Sequence, residues 1–162
     1  MNKAGERLGG ATLFELVLVL LLLSLGLFTL LPRLDGTGHV SLQVQAEQFR
    51  RDVSRVQFLA SSQGTRLRLA VEDGAYAVHC VAPTACAGDA VADPETGAPF
   101  QVQLGQGAVF AASSALDFDG LGRPVDGAAL VAATTTFVLS RGGHVAQVQV
   151  LPLTGFAQVA TP

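Results

Sequence analysis

The sequence predicts an α+β fold. A long N-terminal helix, half membrane-spanning and half amphipathic, packs on a mainly antiparallel β-sheet head. Three observations carry this. An apolar run occupies the N-terminal region, residues 40–61 return to helical periodicity, and from Thr65 the apolar period drops to two. The length of 162 residues suits one domain with a real core.

The first element is the apolar one. Leu16 to Leu31 form sixteen residues without a charge, and extending back to Ala11 adds one charge, Glu15. A helix of that extended length is about 31 Å long at 1.5 Å per residue, close to the hydrocarbon thickness of a bilayer. A buried core helix would carry a polar stripe, and this run has none. The segment therefore reads as membrane-spanning over 11–34. The preceding residues carry Lys3 and Arg7 against Glu6, and only Arg33 is basic near the other end, which favours a cytoplasmic N-terminus. A secretory signal peptide fits less well, because the run is longer and no small-x-small cleavage site follows it.

Asp35-Gly36-Thr37-Gly38 is a weak point for any continuous helix. Beyond it, Leu42, Ala46, Phe49, Val53, Val56 and Ala60 alternate spacings of four and three and share one helix face. Residues 35–64 therefore form the amphipathic second half of the helix, whose apolar face covers a sheet. Arg50, Arg51 and Arg55 read as a solvated face.

Residues 65–162 form the β-rich head. Arg66–Val71 and Tyr76–Val81 alternate around Asp73-Gly74, a hairpin signal. Residues 83–99 hold three prolines and two glycines and read as a long loop. Further strands are expected at 100–104, 108–112, 115–118, 134–140, 144–151 and 155–160, with Gly142-Gly143 at a second hairpin.

Composition excludes several functions. Charged residues are only 14%, which argues against a disordered or nucleic-acid-coating chain. The net charge of −3 supplies no basic field for phosphate. His39, His79 and His144 sit in no nucleophile motif, and the sole lysine is Lys3, so no phosphate-binding loop exists. The sequence reads as non-catalytic, with no cofactor. Asp117, Asp119 and Asp126 near Gly120 could hold Ca²⁺, although no EF-hand pattern surrounds them and Asp-Gly is ordinary turn chemistry. Cys80 and Cys86 are six residues apart, and a disulfide between them suits an exported head. So small a loop adds only about 2 kcal/mol in the chain-entropy model. His79 beside Cys80 lacks a ligand set with zinc-site spacing.

Gly10-Ala11-Thr12-Leu13-Phe14-Glu15, followed by Leu16-Val17-Leu18-Val19-Leu20-Leu21, resembles the leader of type IV pilins and type II secretion pseudopilins. The resemblance implies a leader over 1–10, cut after Gly10 by a prepilin peptidase, with N-methylation of the new terminus at Ala11. Glu15 is then the fifth mature residue and Pro32 the twenty-second, matching the family. The family usually has Phe at the first mature position; this chain has Ala11. Glu15 would pair with the α-amine of a neighbouring subunit, since an unpaired charge in hydrocarbon is costly. Pro32 would loosen the helix. Leu116-Asp117-Phe118-Asp119-Gly120-Leu121-Gly122-Arg123-Pro124 resembles the Phe-x-x-x-Gly-Arg turn of GspH/FimT-type minor pilins. Pro32-Arg33 is also similar to minor pilins of the mannose-sensitive pilus type.

The function expected is that of a minor pilin or pseudopilin in a type IV pilus or type II secretion pseudopilus. The partners implied are other pilin subunits, the prepilin peptidase, the inner-membrane assembly platform and the membrane. The location implied is the bacterial inner membrane with a periplasmic head, and then the filament. One alternative is a FimT-like minor pilin that binds DNA for uptake. The chain argues against it, because nothing after Arg141 is basic and loss of a +1 leader takes the net charge to −3 − 1 = −4. The other is a bitopic membrane-anchored domain with no filament role.

Overall fold

The computed structural model describes residues 13–30, 36–81 and 90–160, without the side chains of 24–30 and 36–40. The chain divides into two units, 1–37 and 38–162.

The first unit holds helix α1, Leu13–Leu30. It is built mostly from leucine, valine and phenylalanine, with Glu15 in its first turn and Ser24, Gly26 and Thr29 further along. Helix α2 runs Gly36–Gln63. The expected single long helix, half of it membrane-spanning, is therefore corrected to two separate helices. The sequence supplies a reason: Pro32 lies between them, lacking the amide a helix interior needs. At 18 residues α1 is about 27 Å long, short of the roughly 30 Å hydrocarbon core. Among the described residues no helix is long and apolar enough to cross a membrane.

Among the described residues the second unit carries ten strands: β1 Leu67–Glu72, β2 Ala75–Cys80, β3 Gln101–Gln103, β4 Val109–Phe110 and β5 Ser114–Phe118, then β6 Pro124–Asp126, β7 Ala129–Leu130, β8 Thr135–Arg141, β9 His144–Val150 and β10 Ala157–Ala160. They form two antiparallel sheets rather than one. A six-stranded sheet has the order β3-β2-β1-β5-β6-β7, and a four-stranded sheet the order β10-β9-β8-β4. The hairpin registers pair Glu72 with Ala75 and Arg141 with His144, leaving Asp73-Gly74 and Gly142-Gly143 as two-residue turns. Gly142 and Gly143 have φ of 53° and 83°, the left-handed pair that a tight hairpin of matching twist requires.

Both sheets bury alternate residues against the apolar stripe of α2. Leu42, Ala46, Phe49, Val53, Val56 and Ala60 are all buried, as are Leu67, Leu69, Val71, Val78, Leu116 and Phe118 of the larger sheet. Phe137, Leu139, Ala146, Val148 and Val150 line the smaller sheet. Phe49 joins the two. Its ring stands edge-on to Tyr76 at 4.9 Å, Phe110 at 5.0 Å and Phe137 at 5.1 Å. Such pairs add about 0.5–1.5 kcal/mol each beyond area burial. One helix thus seals two sheets, because its stripe is wide enough to present Phe49 to both.

Candidate functional site

Helix α1 is the most unusual surface of the chain. Every residue from Leu13 to Leu23 is exposed, the large apolar ones from Leu13 to Leu23 between 47% and 83%. An 18-residue helix with no polar face cannot satisfy itself by turning one stripe inward. It needs apolar cover on every side. Glu15, in the first turn, is the only charge in α1, and an acid there interacts favourably with the helix N-terminus.

The remaining positions named by the leader resemblance, Gly10, Ala11 and Pro32, lie outside the described residues, as does Cys86. Cys80 closes β2 and is disulfide-bonded.

The carboxylates considered for Ca²⁺ are not brought together as a metal site. Asp117 is buried and faces two arginines. It accepts Arg66 Nε and Nη2 at 3.2 and 2.7 Å, and Arg68 Nε and Nη2 at 2.6 and 3.0 Å. Strand register explains the meeting: Arg68 lies directly opposite Asp117 across β1–β5, and Arg66 is two residues along the same face. Burial pushes the Asp117 carboxyl up, but Arg68 and Arg66 outweigh it and hold it below the usual range. The same contact raises Arg68.

Asp119 serves the β5–β6 turn. Its Oδ1 accepts the amides of Leu121 and Arg123, and its Oδ2 accepts Arg123 Nε and Nη2 at 2.9 and 2.7 Å. Slight burial pushes this carboxyl up, and the Arg123 contacts outweigh it, so it too sits low. Asp126 lies in a groove of about 960 Å³ on the outer face of the larger sheet, together with Arg66, Arg68, Asp117 and Leu130. Among the described residues no three or more His, Cys, Asp or Glu side chains converge in a way that could hold a metal ion.

Sequence reasoning missed a second ionic cluster. Asp52 of α2 is buried and accepts the hydroxyl of Tyr76 at 2.5 Å. Burial is the main cause of its raised pKa, partly offset by the Tyr76 hydrogen bond and the Arg55 charge. Burial, then the Asp52 carboxylate, pushes the Tyr76 hydroxyl up as well. Arg55 lies 3.8 Å from Asp52, 3.6 Å from Asp93 and against Glu95, and stacks at 6.0 Å on the Phe100 ring. Three of these partners fall in or beside the loop expected over 83–99, whose placement no periodicity reveals. The cluster fastens residues 93–100 to α2.

Gln57 was also not singled out. It donates through Nε2 to the carbonyls of Gly122 at 2.9 Å and Thr154 at 2.5 Å, tying the β5–β6 and β9–β10 turns to α2.

Comparison with protein-family models, with curated proteins and with solved structures finds no match.

Proposed function

We propose that this chain is a non-catalytic subunit of the minor-pilin or pseudopilin class, which assembles through α1 into a type IV pilus or a type II secretion pseudopilus. The observation that carries the reading is the all-round exposure of apolar side chains on α1 from Leu13 to Leu23. A bundle of like helices supplies the cover that such a surface needs, and the sheets and α2 form a head with a core of its own. The leader-like residues Gly10 to Glu15 add a processing step to the proposal: a prepilin peptidase cuts after Gly10, and Ala11 is methylated. Glu15 then meets the new amine of a neighbour. The proposed partners are other pilin subunits and the inner-membrane assembly platform. The proposed location is the bacterial inner membrane, with the head on the periplasmic side, before incorporation.

Intact mass after co-expression with an active prepilin peptidase tests the reading. Loss of residues 1–10, with or without one methyl group, supports it. An unchanged mass, with a control pilin cut in the same cells, sinks it.

A further inference from the structure

The larger sheet opens where β5 parts from β6. Two backbone hydrogen bonds fix which edge each residue serves. The Val81 amide donates to the Arg66 carbonyl at 3.0 Å, and the Asp119 amide donates to the Arg123 carbonyl at 2.9 Å. In an antiparallel ladder alternate residues bond to opposite sides. Leu67, Leu69 and Val71 therefore bond to Phe118, Leu116 and Ser114, which leaves Ala115 and Asp117 directed toward β6. Asp117 meets Val125 there. Among the described residues no strand pairs with Ala115 on that side. Gly127 would continue the register, but β6 has already turned at Asp126 to pair with Ala129, and Gly127 has φ of 58°. The Ala115 amide and carbonyl thus face the groove of about 960 Å³ that Arg66, Arg68 and Asp117 also line.

We propose that this groove binds the C-terminal end of an extended peptide, which pairs with the free edge of β5 at Ala115 and places its terminal carboxylate on Arg66 and Arg68. Three observations select that ligand. An uncovered amide and carbonyl on a strand edge are what strand addition recognises. A chain running along this edge must stop where Val125 takes the edge over, so the group that reaches the arginines is a chain end. Charge decides which end. Arg66 and Arg68 share the single Asp117 carboxylate, each through Nε and Nη2, and the Nη1 group of each is left for a second anion. A terminal amine would be repelled there. Asp126, the other acid of the groove, is not within ion-pair distance of either arginine. Leu130, 39% exposed, lines the groove with Ala132 and Ala133, which suits small apolar side chains on the peptide. The volume is at the upper end of the range of about 300–1,000 Å³ for small-ligand sites. The site belongs to the head and does not depend on the filament reading.

The test pans the full chain, in detergent, against pentapeptides of randomised sequence with free C-termini. Recovered peptides are synthesised with free and with amidated C-termini and titrated by fluorescence anisotropy. The free acids are expected to bind about tenfold more tightly than the amides, the effect of losing a charge-assisted hydrogen bond. Arg68→Gln is expected to remove most of that preference. Ala115→Pro removes only a groove-facing amide, because the Ala115–Ala70 pair of the β1–β5 ladder exchanges no hydrogen bonds. It is expected to weaken both forms about two- to tenfold. Where Ala115→Pro lowers thermal stability, Ala133→Trp decides in its place, since this exposed residue fills the groove from its wall without touching a strand. No recovered peptide, amides that bind as well as free acids, a preference untouched by Arg68→Gln, or binding indifferent to the Ala115 and Ala133 changes each overturn the proposal.

Discussion

Replacing Asp117 with Asn tests the ionic centre of the larger sheet. The change keeps the side-chain shape and removes the charge that four guanidinium N–H groups of Arg66 and Arg68 share. Removing one partner of a fully buried pair costs about 3–5 kcal/mol. Here Asp117 is 7% exposed at its side chain, but Arg66 and Arg68 are 27% and 49% exposed and can rehydrate. The expected cost is therefore lower, about 2–3 kcal/mol. For a unit of this size that is a fall of about 8–12 °C in Tm, read by calorimetry at neutral pH. The pH dependence has a fixed sign. The folded Asp117 carboxyl lies below its unfolded value, so its stabilisation is complete above about pH 4 and fades as pH falls through the folded value. The gap between wild type and Asp117→Asn should thus narrow in acid. A gap under about 1 kcal/mol at neutral pH, or one that stays constant into acid, would refute the reasoning.

Three further outcomes follow from the same geometry. A Cβ on Gly120 would sit 2.7 Å from the Gly64 carbonyl oxygen and 2.8 Å from its carbon, so Gly120→Ala forces two backbones apart and should cost about 2–4 kcal/mol in chemical denaturation. Asp52 has a raised folded pKa, so it binds protons more tightly folded than unfolded, and its contribution should weaken as pH rises through that folded value. Asp52→Asn, which keeps an acceptor for the Tyr76 hydroxyl, should flatten that limb of a stability-versus-pH curve; an unchanged limb would count against it. Glu15→Ala should leave leader cleavage intact yet weaken incorporation into filaments, measured by immunoblot of sheared fractions, and undiminished incorporation would count against amine pairing.

What the sequence revealed depends on whether the information was local. The stripe Leu42, Ala46, Phe49, Val53, Val56 and Ala60 is periodic, and all six residues are buried. The two hairpin turns are equally local, because Asp73-Gly74 and Gly142-Gly143 declare themselves by residue type. The split into two sheets is not local. It depends on β4, only Val109–Phe110, pairing with β8 rather than with its sequence neighbours. Strands β6 and β7 were too short to announce themselves, and Pro124 opens β6. One long N-terminal helix was expected, loosened at Pro32 and weak at residues 35–38; instead α1 ends at Leu30 and α2 begins at Gly36. At the site level, Asp117, Asp119 and Asp126 looked like available oxygen ligands. Strand register and turn chemistry instead commit Asp117 and Asp119 to arginines; the Asp117 pairing is not visible until β1 lies against β5, whereas Asp119 and Arg123 meet four residues apart within one turn.

Recovery of the processed chain, residues 11–162, from the sheared filament fraction of a bacterium with a working pilus or pseudopilus machine tests the central claim most directly. The account requires the wild-type chain in that fraction and the loss of Leu18→Lys, which buries a charge in the helix bundle while leaving the head core untouched. A wild-type chain that is processed but never enters the fraction, or a Leu18→Lys chain that enters it equally well, would contradict assembly through α1.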